Sequence, residues 1–187
     1  MPEWKPEDFA GLEYEINGKP YPAVNAFVET LRTLHVNGGA CFGSFRFPKS
    51  TAFREVAGRG ALVEAGFFDH FWRTDAVRTA LPELAAQRGF ACRYPFIYAN
   101  PFTLDGEFAS ALYLGGAYAL YLGTTSDAKA EGAAPAAELL GRRFEKVQVY
   151  TNDRDWCDYF EEVIACTRVI VNCRSKLLHV IVATDVD

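Results

Sequence analysis

The sequence predicts an α+β (or α/β) fold with a mixed β-sheet, a C-terminal β-α-β-α-β-β unit, and several short N-terminal helices packed on it. Apolar residues make up 50% of the 187 residues, which is enough for the core of one domain. After residue 101, strand-like segments alternate with helical segments, as in sheet-and-helix folds. We therefore expect a single globular domain over residues 1–187, helix-rich at 1–100 and regular and sheet-forming at 101–187.

The first hundred residues predict one long helix, a strand and several short helices. Five apolar residues follow helical spacing after Pro22, and Asn37-Gly38-Gly39 is a typical helix end. Residues 40–47 are predicted as a strand and residues 50–88 as short helical pieces. Residues 90–98 are predicted as an edge strand, because Pro95 cannot donate a hydrogen bond to a sheet ladder. The five helical residues are Val24, Phe27, Val28, Leu31 and Leu34.

The remaining residues predict three further strands separated by helices. A helix begins near Asp105 and ends at Gly115-Gly116, and an Ala-rich helix follows residues 123–126 and restarts at Pro135. Another helix begins at Arg154 and carries Trp156 and Phe160 on its buried face. Because helices separate the strands, we expect them to run parallel through right-handed crossovers. These strands are residues 117–122, 145–150 and 168–173.

A hairpin is predicted at the end of the chain, with a two-residue turn at Ser175 and Lys176. This register places Asn172 opposite His179 and leaves the other face of both strands wholly apolar. A three-residue turn would move His179 into the apolar face, where an unpaired polar group costs a few kcal/mol. We therefore expect the two-residue turn.

Parallel strands would bring polar residues together at one edge of the sheet. Ligands of open α/β sheets bind outside the carboxyl ends of the strands, so this edge is the predicted ligand site. The candidate ligand-binding residues are Thr124, Ser126, Asn152, Asp153, Asp155, Asn172 and His179. No catalytic residue is identified among them.

Each part of this candidate site also has a structural interpretation. Thr124 and Ser126 could place backbone N–H groups around an anion, or simply cap a helix. Asp153 and Asp155 suit the first turn of a helix, whose dipole favours negative charge, so we expect neither a metal nor a cofactor. His179 could act as a base supported by Asp155, although a histidine on a strand is more often buried and hydrogen-bonded.

The composition of the chain limits which cellular compartment and which classes of binding partner we expect. The net charge of −5, from 24 acidic and 19 basic residues, argues against a nucleic-acid partner. The uncharged residues 108–126 are too short in apolar length for a membrane span, and the N-terminus lacks a signal-peptide pattern. The five cysteines are odd in number and unpaired in spacing, which predicts reduced cysteines in a soluble, cytoplasmic protein.

Two functional classes remain at this point. We favour a non-catalytic binding protein whose acidic surface meets a protein partner, as in immunity or antitoxin proteins. The alternative is a small-molecule-binding domain or enzyme that uses the polar crevice at the strand ends. A deep cavity containing His179 would favour the alternative, and a flat acidic or aromatic face would favour the binding protein. The sequence also leaves a homo-oligomer open.

Overall fold

The computed structural model describes residues 6–84, 92–141, 144–157, 159 and 164–186. Three short 3-10 helices lie at Pro6–Phe9, Pro82–Leu84 and Pro101–Thr103. The α-helices of these residues are α1 (Pro22–Leu34), α2 (Thr51–Arg59), α3 (Phe67–Phe71), α4 (Asp75–Ala80), α5 (Leu104–Leu114) and α6 (Thr125–Leu140). The strands are β1 (Glu15–Ile16), β2 (Gly39–Arg46), β3 (Ile97–Ala99), β4 (Val147–Asn152), β5 (Ile164–Asn172) and β6 (Leu177–Asp185).

All six strands form one sheet in the order β1-β2-β6-β5-β4-β3, and every pairing in it is antiparallel. The α+β class and the single domain are confirmed. The parallel arrangement that we expected is wrong. Residues 153–163, which join β4 to β5, are fewer than the dozen or more that a parallel crossover needs. The sheet combines strands from both portions of the chain, since β1, β2 and β3 precede residue 101.

The sheet is the middle layer of three, because both of its faces are buried. One face carries Val169, Val171 and Val180 and packs against the aromatic residues of α2 and α3. The opposite face carries Ile170 and Ile181 and packs against α1, α5 and α6. Successive residues of a strand point to opposite faces, so β5 and β6 supply both cores at once.

Helix α1 forms as its sequence pattern predicts, and it lies on the face of the sheet that carries Ile170 and Ile181. All five residues of the predicted stripe are buried, and Pro22 occupies the first turn, where its missing N–H is not needed. The edge position of β3 is also confirmed, although the strand is shorter than expected. Part of the expected strand, residues 90–91, lies outside the described residues.

The β5–β6 hairpin differs from the predicted register by two residues. Asn172 pairs with Leu177, and Ile170 pairs with His179, so the loop contains the four residues 173–176. The Asn172 side-chain oxygen accepts hydrogen bonds from the backbone N–H groups of Arg174 (3.2 Å) and Ser175 (3.1 Å). This local bonding stabilises the longer loop. Because the shift is even, each side chain keeps the face that the sequence predicted for it.

Two predicted elements are absent where the structure describes the chain. Residues 117–122 form no strand, and residues 153–157 form bends rather than the start of a helix. The residues 164–167, expected at the end of that helix, belong to β5. The rest of the expected helix, residues 158 and 160–163 with Phe160 among them, lies outside the described residues. Helix α6 also runs through Pro135 without the expected restart.

No helix in the described ranges has both the length and the apolar character needed to cross a bilayer. The five cysteines all lie within the described ranges, and none of them forms a disulfide bond.

Candidate functional site

In the antiparallel sheet, the candidate residues that we expected at one edge do not all lie together. Asn152 pairs with Thr167 at one end of the β4–β5 ladder, whereas Asn172 pairs with Val147 at the other end. Five residues of extended strand separate Thr167 from Asn172, which corresponds to about 17 Å. The predicted crevice at the carboxyl ends of three parallel strands therefore does not form.

Asn152, Asp153 and Asp155 remain together at the end of β4, where each has a partner in the protein. The Asn152 amide donates to the carbonyl oxygen of Tyr94 (2.8 Å), and Asp155 forms an ion pair with Arg93 (3.2 Å). Asp153 forms an ion pair with Arg168. No group of three or more His, Cys, Asp or Glu residues that could hold a metal ion occurs among the residues with described placement.

Thr124 and Ser126 lie at the start of α6. The Thr124 hydroxyl accepts from the backbone N–H of Asp127 (3.2 Å), and the Asp127 carboxylate accepts from the backbone N–H of Thr124 (2.8 Å). This reciprocal arrangement is a capping box. The hydrogen bonds from Thr124 hold the pKa of Asp127 below its usual value, so the position carries negative charge at neutral pH. A carboxylate there opposes the binding of an anion.

His179 lies on β6 in the interior of the protein. Only 2% of its surface is exposed, and the rings of Tyr21 (5.1 Å between centroids) and Phe42 (6.2 Å) cover it. Burial, assisted by the nearby charge of Lys19, lowers the pKa of His179 to about 4. The imidazole is therefore neutral at pH 7, and the Asp155 carboxylate that we expected beside it pairs with Arg93 instead.

Sequence reasoning missed Arg168, a buried cation on β5. Its guanidinium donates from Nε to Glu107 on α5 (2.7 Å) and from a terminal nitrogen to Asp153 (3.3 Å), with a further contact to Thr151. A buried cation needs this compensation, because desolvation of an unpaired charge is costly. With two carboxylates around one guanidinium, the group ties α5 to the sheet and has no surplus positive charge for an anion.

An exposed apolar surface lies at the end of α5 and along the segment after it. The exposed fractions of its side chains run from 53% to 98%. At roughly 200 Å² for each fully exposed residue, these fractions amount to about 700 Å² of exposed surface. We call this surface the apolar shelf; its residues are Tyr113, Leu114, Tyr118, Leu120 and Leu122.

The segment after α5 turns back towards the end of that helix, and backbone atoms pack closely at two glycines in the turn. Gly115 has φ +69°, and a Cβ at this position would lie 2.5 Å from the carbonyl oxygen of Ala119. At Gly116 a Cβ would lie 2.1 Å from the carbonyl oxygen of Leu34. Only glycine fits both positions, so the Gly115-Gly116 pair brings the segment carrying Leu120 against the end of α5.

A buried carboxylate fixes the same segment to the sheet. Asp185, at the end of β6, has no exposed surface. Its two oxygens accept hydrogen bonds from the backbone N–H groups of Asn37 (3.1 Å) and Ala117 (2.6 Å). Asp185 therefore holds together the loop after α1 and the segment that begins at Ala117.

A groove lies beside the shelf, between α1, residues 119–123 and α6. Its volume is about 600 Å³. The α1 side provides Thr30, Thr33 and Leu34, and the α6 side provides Asp127 and Glu131. Both charged side chains that line the groove are acidic. We call this depression the shelf groove.

The composition of residues 117–122 is unusual, but we interpreted it as that of a strand and not of an exposed surface. Residues 117–122 are apolar, carry no charge and lie between Gly115-Gly116 and Gly123. This composition suits a buried strand as well as an exposed binding segment, because apolarity does not specify whether a pairing strand is available. The distinguishing fact is exposure: Leu122 is 98% exposed.

No protein-family model matches this chain, and no curated protein is significantly similar to it.

Proposed function

We propose that this protein is a non-catalytic binding protein that engages a protein partner through the apolar shelf. The observation that carries the proposal is the exposure of five large side chains on one short stretch of chain. Their surface of about 700 Å² approaches the roughly 800 Å² that one partner contributes to a standard protein–protein interface. Tyrosine is also among the residues enriched in such interfaces.

The charge beside the shelf indicates what kind of protein would fit. Asp127 and Glu131 line the adjoining groove, and the chain as a whole has a net charge of −5. A partner with basic residues around an apolar centre would be attracted to this surface. A second copy of the chain would bring the same carboxylates towards each other, so a basic partner is favoured over self-association. A protein that binds a partner of this kind would be of the immunity or antitoxin type.

The test compares two variants, each made at exposed residues. Leu120→Asp combined with Leu122→Asp places charge in the shelf, whereas Phe102→Asp places charge on a 70% exposed ring outside it. A partner captured from source cells would be purified, and its affinity for each variant measured by calorimetry. We expect the double variant to bind at least about 100-fold more weakly, since each leucine loses roughly 1.5–3 kcal/mol of burial.

The control variant should bind within about twofold of the unmodified protein, because it leaves the shelf unchanged. Equal affinity of the double variant and the unmodified protein would refute the shelf as the binding surface. Sedimentation of the unmodified protein as a dimer, which the double variant converts to a monomer, would replace the proposed partner with a second copy.

A further inference from the structure

We infer that the shelf groove receives an arginine or lysine side chain of the protein partner, an inference that rests on the function proposed above. The groove differs from the shelf in combining apolar and acidic walls. Leu34, Leu120 and Leu122 provide apolar surface, whereas Asp127 and Glu131 provide two carboxylates. Its volume of about 600 Å³ is ample for a long side chain.

The charge of the groove is uncompensated by the residues that line it. Asp127 and Glu131 lie one helical turn apart on α6, and like charges at this spacing cost a few tenths of a kcal/mol in an isolated helix. Lys129, between them in sequence, forms an ion pair with Asp105 on α5 (2.7 Å). Among the residues that the structure describes, the lining contains no arginine or lysine. A cation from outside would therefore relieve the repulsion.

Both carboxylates are held in place before any ligand arrives. Asp127 accepts from the backbone N–H of Thr124 (2.8 Å), and Glu131 accepts from the hydroxyl of Tyr121 (2.8 Å). An ionised carboxylate has about four acceptor sites, so each retains capacity for a further donor. Fixed acceptors lose less rotational freedom when a cation binds, which favours affinity.

The two kinds of wall match the two parts of a basic side chain. Arginine and lysine pack their methylene stems on apolar surface while the charged head reaches polar groups. In the shelf groove the stem would lie on Leu34 and Leu120, and the head would reach Glu131 and Asp127. A wholly apolar side chain would leave both carboxylates without a cation, and an acidic one would be repelled.

A small probe tests this without knowledge of the partner. N-acetyl-arginine methylamide carries one guanidinium, and N-acetyl-citrulline methylamide is its neutral isostere. Each would be titrated into the full-length ¹⁵N-labelled protein, with amide shifts followed by NMR. We expect saturable shifts at Leu120, Gly123 and Glu131 with the arginine probe, and binding at least about fivefold weaker with the citrulline probe.

Matched charge removals identify the carboxylate. Glu131→Gln should weaken the arginine probe by about fivefold or more, whereas Glu55→Gln, at an exposed position on α2, should change its affinity by less than about twofold. Equal shifts with both probes, or no saturable shift at the groove, would overturn the inference. A partner that loses affinity for the Leu120→Asp, Leu122→Asp variant but not for Glu131→Gln would overturn it as well, while leaving the proposed function in place.

Discussion

His179 makes the stability of this protein depend on pH. Its folded pKa of about 4 lies below the usual 6.5, because burial disfavours the charged ring. Between these values the unfolded chain binds a proton that the folded protein does not, so stability falls as the pH falls. The full effect at pH 4 is on the order of 3 kcal/mol. Burial also lowers the pKa of His35, which adds to the same trend.

Urea denaturation at pH 7 and pH 4.5 of the unmodified protein and of His179→Phe measures this contribution. Phenylalanine keeps a ring between Tyr21 and Phe42 but does not titrate. We expect the variant to lose about 2 kcal/mol less stability than the unmodified protein between the two pH values. Equal losses in both proteins would show that His179 titrates normally in the folded state.

At the scale of elements, the packing of α5 against α6 depends on Gly132. A Cβ at this position would lie 2.4 Å from the backbone nitrogen of Ala109 and 2.8 Å from the carbonyl oxygen of Asp105. Backbone atoms cannot move aside as a flexible side chain can, so the helices would have to separate. The two helices carry Phe108, Leu112 and Leu139, which belong to the core on the face of the sheet that carries Ile170 and Ile181. Separation of the helices would open this core.

Gly132→Ala should lower the free energy of unfolding by about 1–3 kcal/mol, despite the better helix propensity of alanine. Gly58→Ala in α2 is the matched control, because a Cβ there meets no atom within 4 Å. The control should be neutral or stabilising by up to about 1 kcal/mol. Chemical denaturation measures both variants. A Gly132→Ala protein as stable as the control would contradict the close packing.

At the scale of the whole molecule, Asp185 connects the sheet to two loops, one after α1 and one after α5. Asp185→Ala removes an acceptor from the backbone N–H groups of Asn37 and Ala117. Hydrogen bonds to a carboxylate contribute about 1.5–3 kcal/mol each, so we expect the loss of both to lower the free energy of unfolding by about 3–6 kcal/mol in denaturant unfolding. Amide hydrogen exchange should also accelerate at Ala117. Asp185→Asn, which keeps one acceptor oxygen, should have a smaller effect, and unchanged exchange at Ala117 would refute the anchoring role.

The sequence predicted the elements that local physics determines. Helix α1 follows from the spacing of its apolar residues, and α2 and α6 begin after side chains that cap them, Ser50 and Thr124. The even periodicity of β5 and β6 also placed each side chain on the correct face despite the wrong turn length. Each of these features depends on residues close together in sequence.

Features that depend on distant pairing were mispredicted. Residues 117–122 have the composition of a strand, but no strand is available beside them. The expected grouping of the candidate residues at one edge depended on parallel strands, and the antiparallel pairing places Asn172 at the opposite end of the ladder from Asn152. Arg168 was missed, since its partner Glu107 is 61 residues away in sequence. Strand order and buried ion pairs are set by the assembled chain, which local patterns do not describe.

The position of β6 between β2 and β5 has a consequence for biosynthesis. It is the last described strand in the chain, yet it joins the two halves of the sheet. A nascent chain that ends before Leu177 can pair β1 with β2, and β3 with β4 and β5, but its two partial sheets have no strand between them. Such unpaired edges are surfaces that chaperones recognise and that aggregate when exposed. Translation must therefore deliver residues 177–185 before the centre of the sheet can close.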